Sequence, residues 1–269
     1  MGLVEKWDLA SRVRQSFPKE SGGMLSSIEI AEVRRQAVRV LQQHGEGAST
    51  VAPEGQPFVL SVWAALLNLI GDGDTELPRI LEHRVPTGVF ERIPECDMYP
   101  PEDRECKLAD TSNCGLLECW ENWKSADEAK ERVVACLEAE VAQGWVERLE
   151  GSWEDVSKPW AGRAASGKLA LVCADGKEDR LVGDSSAPGV SPKARFPNRM
   201  KHPGPGDVEE GMIRCQEAGG NWVAITVDVK AAHKRIKVSK RDGGLAFFWM
   251  AGFWWRYLVC HFGASWSAW

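Results

Sequence analysis

Trp222-Val223-Ala224-Ile225-Thr226-Val227-Asp228 is a short apolar run that ends in a carboxylate. β-Branched residues dominate it, so it reads as a strand that delivers Asp228 to the edge of a sheet. A charge placed there must be solvated, paired or bound to a cation. Aspartate also ends strands as a simple turn former, so the run alone leaves both a turn and a site open. The sequence on either side narrows the choice.

Downstream, Leu245–Trp249 and Phe253–Val259 form a second apolar pair, and Ala251-Gly252 between them predicts a tight hairpin turn. Upstream, Leu169–Cys173 and Arg180–Gly183 flank Ala174-Asp175-Gly176-Lys177, where Asp-Gly predicts another hairpin. Between the hairpins, Pro188 to Pro205 reads as a basic, Pro/Gly-rich loop, and Asp207 caps a short helix that ends at Gly219-Gly220. Earlier still the pattern is helical. Ser125 is placed as an N-cap with Glu128 in box position, Val133, Val134, Leu137 and Val141 form the buried stripe, and Gly144 supplies the stop. Ser26 and Glu29 make a second capping box for a helix closing at Gly45, and Phe58–Ile70 is an apolar helix stopped at Gly71. Residues 1–24 are weakly periodic and 84–113 read as an irregular connection. Helices followed by hairpins predict an α+β fold rather than a doubly wound sheet.

Composition sets outer limits. The chain has 269 residues, 43% of them apolar, enough for a core. Five of its 13 tryptophans fall at positions 249, 254, 255, 266 and 269, too much ring for a normal surface, so that end is built to be buried. The net charge of −6 hides an asymmetry. Residues 158–269 hold 17 Lys+Arg against 10 Asp+Glu, a balance of +7, and residues 1–157 hold 16 against 29, a balance of −13. A polyanion-binding half joined to an acidic half has this pattern, as do two ordinary surfaces of opposite sign. The eight cysteines have no framework spacing. Cys106, Cys114 and Cys119 come nearest to a metal pattern but lack a CxxC pair and a nearby histidine, so reduced thiols are expected. Residues 1–16 lack the apolar core of a signal peptide, and no apolar run reaches bilayer length. An intracellular protein, cytoplasmic or nuclear and without a membrane partner, is the expectation.

The stretch Asp228-Val229-Lys230-Ala231-Ala232-His233-Lys234-Arg235-Ile236 resembles the first catalytic motif of reverse transcriptases, in which a strand delivers an Asp and a ring follows five residues later. Thirty-five residues beyond Asp228 comes Gly263, in Cys260-His261-Phe262-Gly263-Ala264-Ser265, which resembles the Pro-Phe-Gly segment of retroelement polymerases. The hairpin between them, the fingertip-like hairpin of 172–184 and the helix exit at Glu138–Val146 follow in the family's order. The resemblance covers residues 125–269 and implies the fingers and part of the palm of an RNA-directed DNA polymerase: an incomplete right-hand fold with an antiparallel sheet. Residues 1–124 form a partly helical lead-in region.

The resemblance also implies roles. Template-directed nucleotidyl transfer needs divalent cations that bridge the attacking hydroxyl and the triphosphate. Asp228 would be the catalytic carboxylate and a ligand to Mg²⁺, with the Val229 carbonyl beside it. Arg180 would lie across the incoming triphosphate, assisted by Lys177, and His233 would sit under the incoming sugar. Phe262 and Gly263 would back the templating base, and Lys193, Arg195, Arg199 and Lys201 would follow the template. The partners implied are an RNA or DNA template-primer and dNTPs. Six positions depart from the family: Cys173 and Ala174 replace paired lysines, His233 replaces Tyr or Phe, His261 replaces proline, and Ser186 and Gly189 replace Arg and Asn. Taken without the resemblance, Arg180 is a strand-surface arginine, His233 a packed histidine, and the Trp-rich hairpin core.

The family's remaining two carboxylates form an Asp-Asp pair, and no such pair occurs in this sequence, which ends six residues past Gly263. One carboxylate cannot hold two close cations against their repulsion. The expectation is therefore a truncated domain without primer extension of its own, with an uncovered Trp-rich face and no stable helix over residues 263–269. A non-catalytic nucleic-acid-binding remnant of a retroelement polyprotein is the alternative, and an RNA-dependent RNA polymerase palm is a third reading.

Overall fold

The computed structural model describes residues 25–53, 56, 58–96, 99–102, 115–176, 178–200, 202–220 and 231–267. They fall into two compact units, Met1–Glu82 and His83–Trp269. In the first, α1 (Ser27–Gln43) starts from the expected capping box, with the Ser26 hydroxyl and the Glu29 carboxylate each holding the other's amide. α2 (Leu60–Ile70) stops at Gly71, whose φ of 67° is the left-handed cap conformation. α3 (Leu77–His83) follows, and its Leu81 carbonyl accepts from the Gln56 amide at 3.2 Å.

The second unit is built on a five-stranded sheet ordered β1-β5-β4-β2-β3: β1 Val146–Leu149, β2 Ser166–Val172, β3 Arg180–Asp184, β4 Phe247–Met250 and β5 Phe253–Tyr257. Both predicted hairpins are present. β2 and β3 pair antiparallel, with Gly176 at φ 71° in the connection, and β4 and β5 turn through Ala251 and Gly252 at φ 54° and 86°. Two successive positive φ angles give the primed turn whose twist matches the strands. The sheet is nevertheless mixed, not antiparallel throughout. β2 runs parallel to β4 through Ser166↔Phe247 and Gly167↔Phe248, because β4 reaches β2 only after the long excursion of residues 185–246. Mixed helix and sheet in this arrangement is α+β.

Two helix starts differ from expectation. Ser125 lies inside a four-residue helix, α4 (Lys124–Asp127), and its hydroxyl accepts the Leu171 amide at 3.1 Å, so β2 takes the oxygen that would have capped. The chain breaks at 128–129 and restarts as α5 (Lys130–Ala142), closed by Gly144 at φ 70°. After the short α6 (Trp153–Ser157), α7 (Pro205–Glu217) begins at Gly204. Asp207 sits within its first turn and accepts the Gly204 amide at 2.7 Å.

The Trp-rich hairpin is covered on both faces, contrary to the expectation of an open one. Alternation sends Phe248, Trp255 and Tyr257 toward Val133 and Leu137 of α5, while Phe247 and Trp254 pack with Trp153 and Val156 of α6. Burial of each such side chain contributes roughly 1.5–3 kcal/mol. Trp266 is buried in a further cluster with Val89, Val190, Val238 and Cys260, and Ser265–Ser267 forms a 3-10 turn. No helix among the described residues is long and apolar enough to cross a membrane. The Trp222–Asp228 run, Val229, Lys177, Lys201, Cys106 and Cys114 lie outside the described residues.

Gly252 and Gly263 both have positive φ, but only Gly263 is crowded. A Cβ at 263 would overlap the Gly183 carbonyl oxygen and stand 3.0 Å from Val182 Cγ1, whereas one at 252 meets nothing within 4 Å. Gly252→Ala should therefore lower stability by about 1–2 kcal/mol through backbone strain alone. Gly263→Ala should lose about 1–3 kcal/mol more by overpacking. Urea midpoints measure both, and equal losses would show that residue 263 does not lie against β3.

Candidate functional site

Three of the residues singled out in the sequence, His233, Phe262 and Gly263, meet at the edge of β3, the strand that begins with Arg180. The route runs through the backbone. The Gly183 amide donates to the Phe262 carbonyl at 2.8 Å, so the Cys260–Gly263 segment is held against the edge strand β3. Only glycine permits this approach, since a Cβ at 183 would lie 2.5 Å from Phe248 Cζ and 2.8 Å from His261 Cδ2. Phe262 keeps 43% of its surface exposed, and the His233 ring packs on it with centroids 3.9 Å apart. His233 stands on the 3-10 turn Ala232–Arg235, entered through Ala231 at φ 52°.

That turn is anchored from inside. Lys234 forms an ion pair with Glu140 of α5, and both side chains are nearly buried. Lys234 and Arg235 also lie over the Trp145 ring at 5.3 and 5.4 Å. Removing one member of a buried pair usually costs about 3–5 kcal/mol, because the other charge is left alone. Burial, with Lys234 adding to it, holds His233 below the usual imidazole value, so its ring is neutral at pH 7. Burial and the neighbouring Glu140 raise Tyr257 well above an ordinary phenol. The result is a neutral aromatic step, His233 on Phe262, braced by a charge pair that solvent barely reaches.

Beneath this step lies His261, fully buried. Its Nε2 is 3.1 Å from Ser185 Oγ, and its ring packs with Tyr257, Phe248 and Trp266 at 4.9, 5.4 and 5.7 Å. Burial first, then His233 and Lys234, lower its pKa to about 3. Position 261, where the resemblance has a proline, is thus filled by a neutral histidine that ties the loop after β3 to the segment after β5. Its neighbour Cys260 is pushed up to about 12 by burial and is an unreactive thiol.

The remaining candidates are spread along the surface. Arg180 is exposed at the start of β3 opposite Val172. Lys193 ends the 3-10 turn Ser191–Lys193, Arg195 donates to the Pro192 and Ala194 carbonyls, and Arg199 faces Glu102 at 3.4 Å. Asp184 is occupied as a turn anchor, accepting the Ser186 and Ala187 amides and the Trp123 indole N–H. Among the described residues no three His, Cys, Asp or Glu side chains converge as a metal site, and Asp228 is not among them. Glu140, Lys234, Ser185 and Tyr257 were missed in the sequence. Glu140 had one signal: it follows Val133 and Leu137 on the buried stripe of α5, where an unpartnered carboxylate would be costly.

The unfolded chain protonates at position 261 once pH drops below 6.5, whereas the folded chain resists until about 3. Stability from the neutral ring is complete above 6.5 and is lost as pH falls, at about 1.4 kcal/mol per pH unit. His261→Gln should flatten the slope of unfolding free energy against pH by about that amount across this window, measured by urea unfolding. Parallel slopes would mean that the imidazole titrates freely in the fold.

No family model matches this sequence, and neither a curated protein nor a solved structure matches the chain.

Proposed function

We propose that residues 125–269 are the fingers and part of the palm of an RNA-directed DNA polymerase of retroelement type. The observation that carries the reading is the meeting of the His233 and Phe262 rings at 3.9 Å, with the Phe262 carbonyl bonded to Gly183 of the strand that Arg180 begins. Two segments chosen from sequence as sugar-facing and template-facing are brought together with the strand chosen to meet the triphosphate. A half-exposed aromatic step bonded to the strand that begins with an exposed arginine suits a nucleotide, with a flat ring for the sugar and base and a planar guanidinium for phosphate oxygens.

In this reading Asp228 and the Val229 carbonyl hold Mg²⁺, which supplies charge neutralisation on the triphosphate. Arg180 and Lys177 orient the phosphates, and neutral His233 limits the room at the 2′ position. Phe262 and Gly263 support the templating base. Lys193, Arg195, Arg199 and Lys201 follow the template backbone. The pair between Arg199 and Glu102 does not oppose this, because exposed pairs are worth about 0–1 kcal/mol and exchange readily. The positive balance of residues 158–269 also favours a second reading, a nucleic-acid-binding remnant that has lost nucleotide selection.

Binding of a template-primer to the full chain, followed by fluorescence anisotropy with Mg²⁺ and added nucleotide, separates the two. The polymerase reading predicts tighter binding with the complementary dNTP, a gain abolished by Asp228→Asn and reduced about tenfold or more by Arg180→Ala. It also predicts that His233→Ala narrows the preference for dNTP over rNTP. Template-primer binding indifferent to nucleotide and metal would replace it with the remnant. Absence of template-primer binding would remove both.

A further inference from the structure

We infer that a cavity on the opposite flank of the hairpin, built by β1, β5 and the 238–243 segment, binds a phosphate group. The cavity measures about 350 Å³ and is lined by Arg84, Glu147, Trp160, Ser239, Lys240 and Arg256 among others. That volume is at the small end of ligand sites, which run from roughly 300 to 1,000 Å³.

The cations are prepared in different ways. Arg256 is bound through Nε to Glu147 and lies over the Trp160 indole, 4.4 Å from its centroid. Trp160 in turn donates to the Lys240 carbonyl at 2.8 Å, and Gly243 leaves space that a Cβ would deny, 2.9 Å from Arg256 Nη1. A guanidinium fixed by Nε and stacked on one face presents its terminal nitrogens in a set direction. Arg84 directly follows α3 and has φ 78°, the left-handed cap conformation where glycine is usual. Its neighbour Val85 is bridged to Val238, with hydrogen bonds to Lys237 and Ser239, so the strained residue is held at the cavity. The buried Asp242 reinforces this by accepting both the Thr87 amide and hydroxyl at 2.8 Å. No salt bridge among the described residues engages Arg84 or Lys240.

Three cations against the one carboxylate in the lining, Glu147, leave a surplus of two positive charges. A terminal phosphate carries a matching charge, and its oxygens fit the arginine fork. Backbone strain at Arg84, whose guanidinium donates to the Val238 carbonyl on the cavity wall at 3.5 Å, is a pattern typical of ligand-holding positions. The site shares no residue with the nucleotide reading of His233, Phe262 and Arg180, and stands or falls independently of it.

Calorimetric titration of the full chain in EDTA, which withdraws any metal-dependent nucleotide site, tests the inference. The titrants are inorganic pyrophosphate and a short single-stranded DNA with either a 5′-phosphate or a 5′-hydroxyl. Binding is expected, weakened about tenfold by Lys240→Ala and by Arg84→Gly. Arg84→Gly should at the same time raise Tm, since glycine relieves the strain. Lys240 is exposed, so its variant carries the test should Arg84→Gly fold poorly. Preference for pyrophosphate and the 5′-phosphorylated strand assigns a terminal phosphate, whereas equal binding of the two strands assigns the backbone diester. No binding by any titrant, or affinities unchanged in both variants, would overturn the inference.

Discussion

The Phe262 carbonyl accepts the Gly183 amide at 2.8 Å, and glycine serves at both ends: a Cβ at 263 would overlap the Gly183 carbonyl, and one at 183 would meet the Phe248 and His261 rings. Much of the C-terminal unit is arranged by this approach. It folds the segment after β5 back onto β3, places Phe262 at the surface for His233, and drives His261 inward to Ser185. With the ring buried among Tyr257, Phe248 and Trp266, the imidazole must stay neutral, and the site gains a rigid floor.

A second constraint secures the other side of the step. The 3-10 turn of residues 232–235 has little secondary structure of its own, yet Lys234 fixes it to α5 through Glu140 and Trp145, while His233 fixes it to Phe262. Buried pairs of this kind add little net stability over apolar packing, but they tolerate few alternative registers. That matters for the proposed chemistry, which needs the ring at 233 held in one place relative to Arg180. Of the basic loop residues, Arg195 is bonded to the nearby Pro192 and Ala194 carbonyls and Arg199 to the Glu102 side chain, contacts that suit backbone binding better than discrimination.

Local features of the fold were legible in the sequence because their causes are local. Ser26 and Glu29 cap each other, Gly71 and Gly144 end helices in left-handed conformations, and Ala251-Gly252 makes its hairpin. Features that depend on distant partners were not. Nothing near Ser125 indicates that its hydroxyl goes to Leu171, so the local pattern starts the helix at Ser125 while α5 starts at Lys130. The parallel pairing of β2 with β4 joins residues about eighty apart and leaves no periodic trace. The same applies to Glu140 with Lys234 and to Thr87 with Asp242. The open face expected for the Trp-rich hairpin rests on a missing strand neighbour, whereas the cover comes from helices α5 and α6, whose docking on its two sides has no local trace in the sequence.

Amide hydrogen exchange at Gly183 tests the central contact directly. Its N–H is paired at the end of a strand with a segment that is continuous with it only in space. The account predicts exchange as slow as that of the β4–β5 amides, governed by unfolding of the whole unit. Exchange at the rate of a frayed strand end would show that Cys260–Gly263 does not rest on β3, and the joint placement of His233, Phe262 and Arg180 would be lost with it.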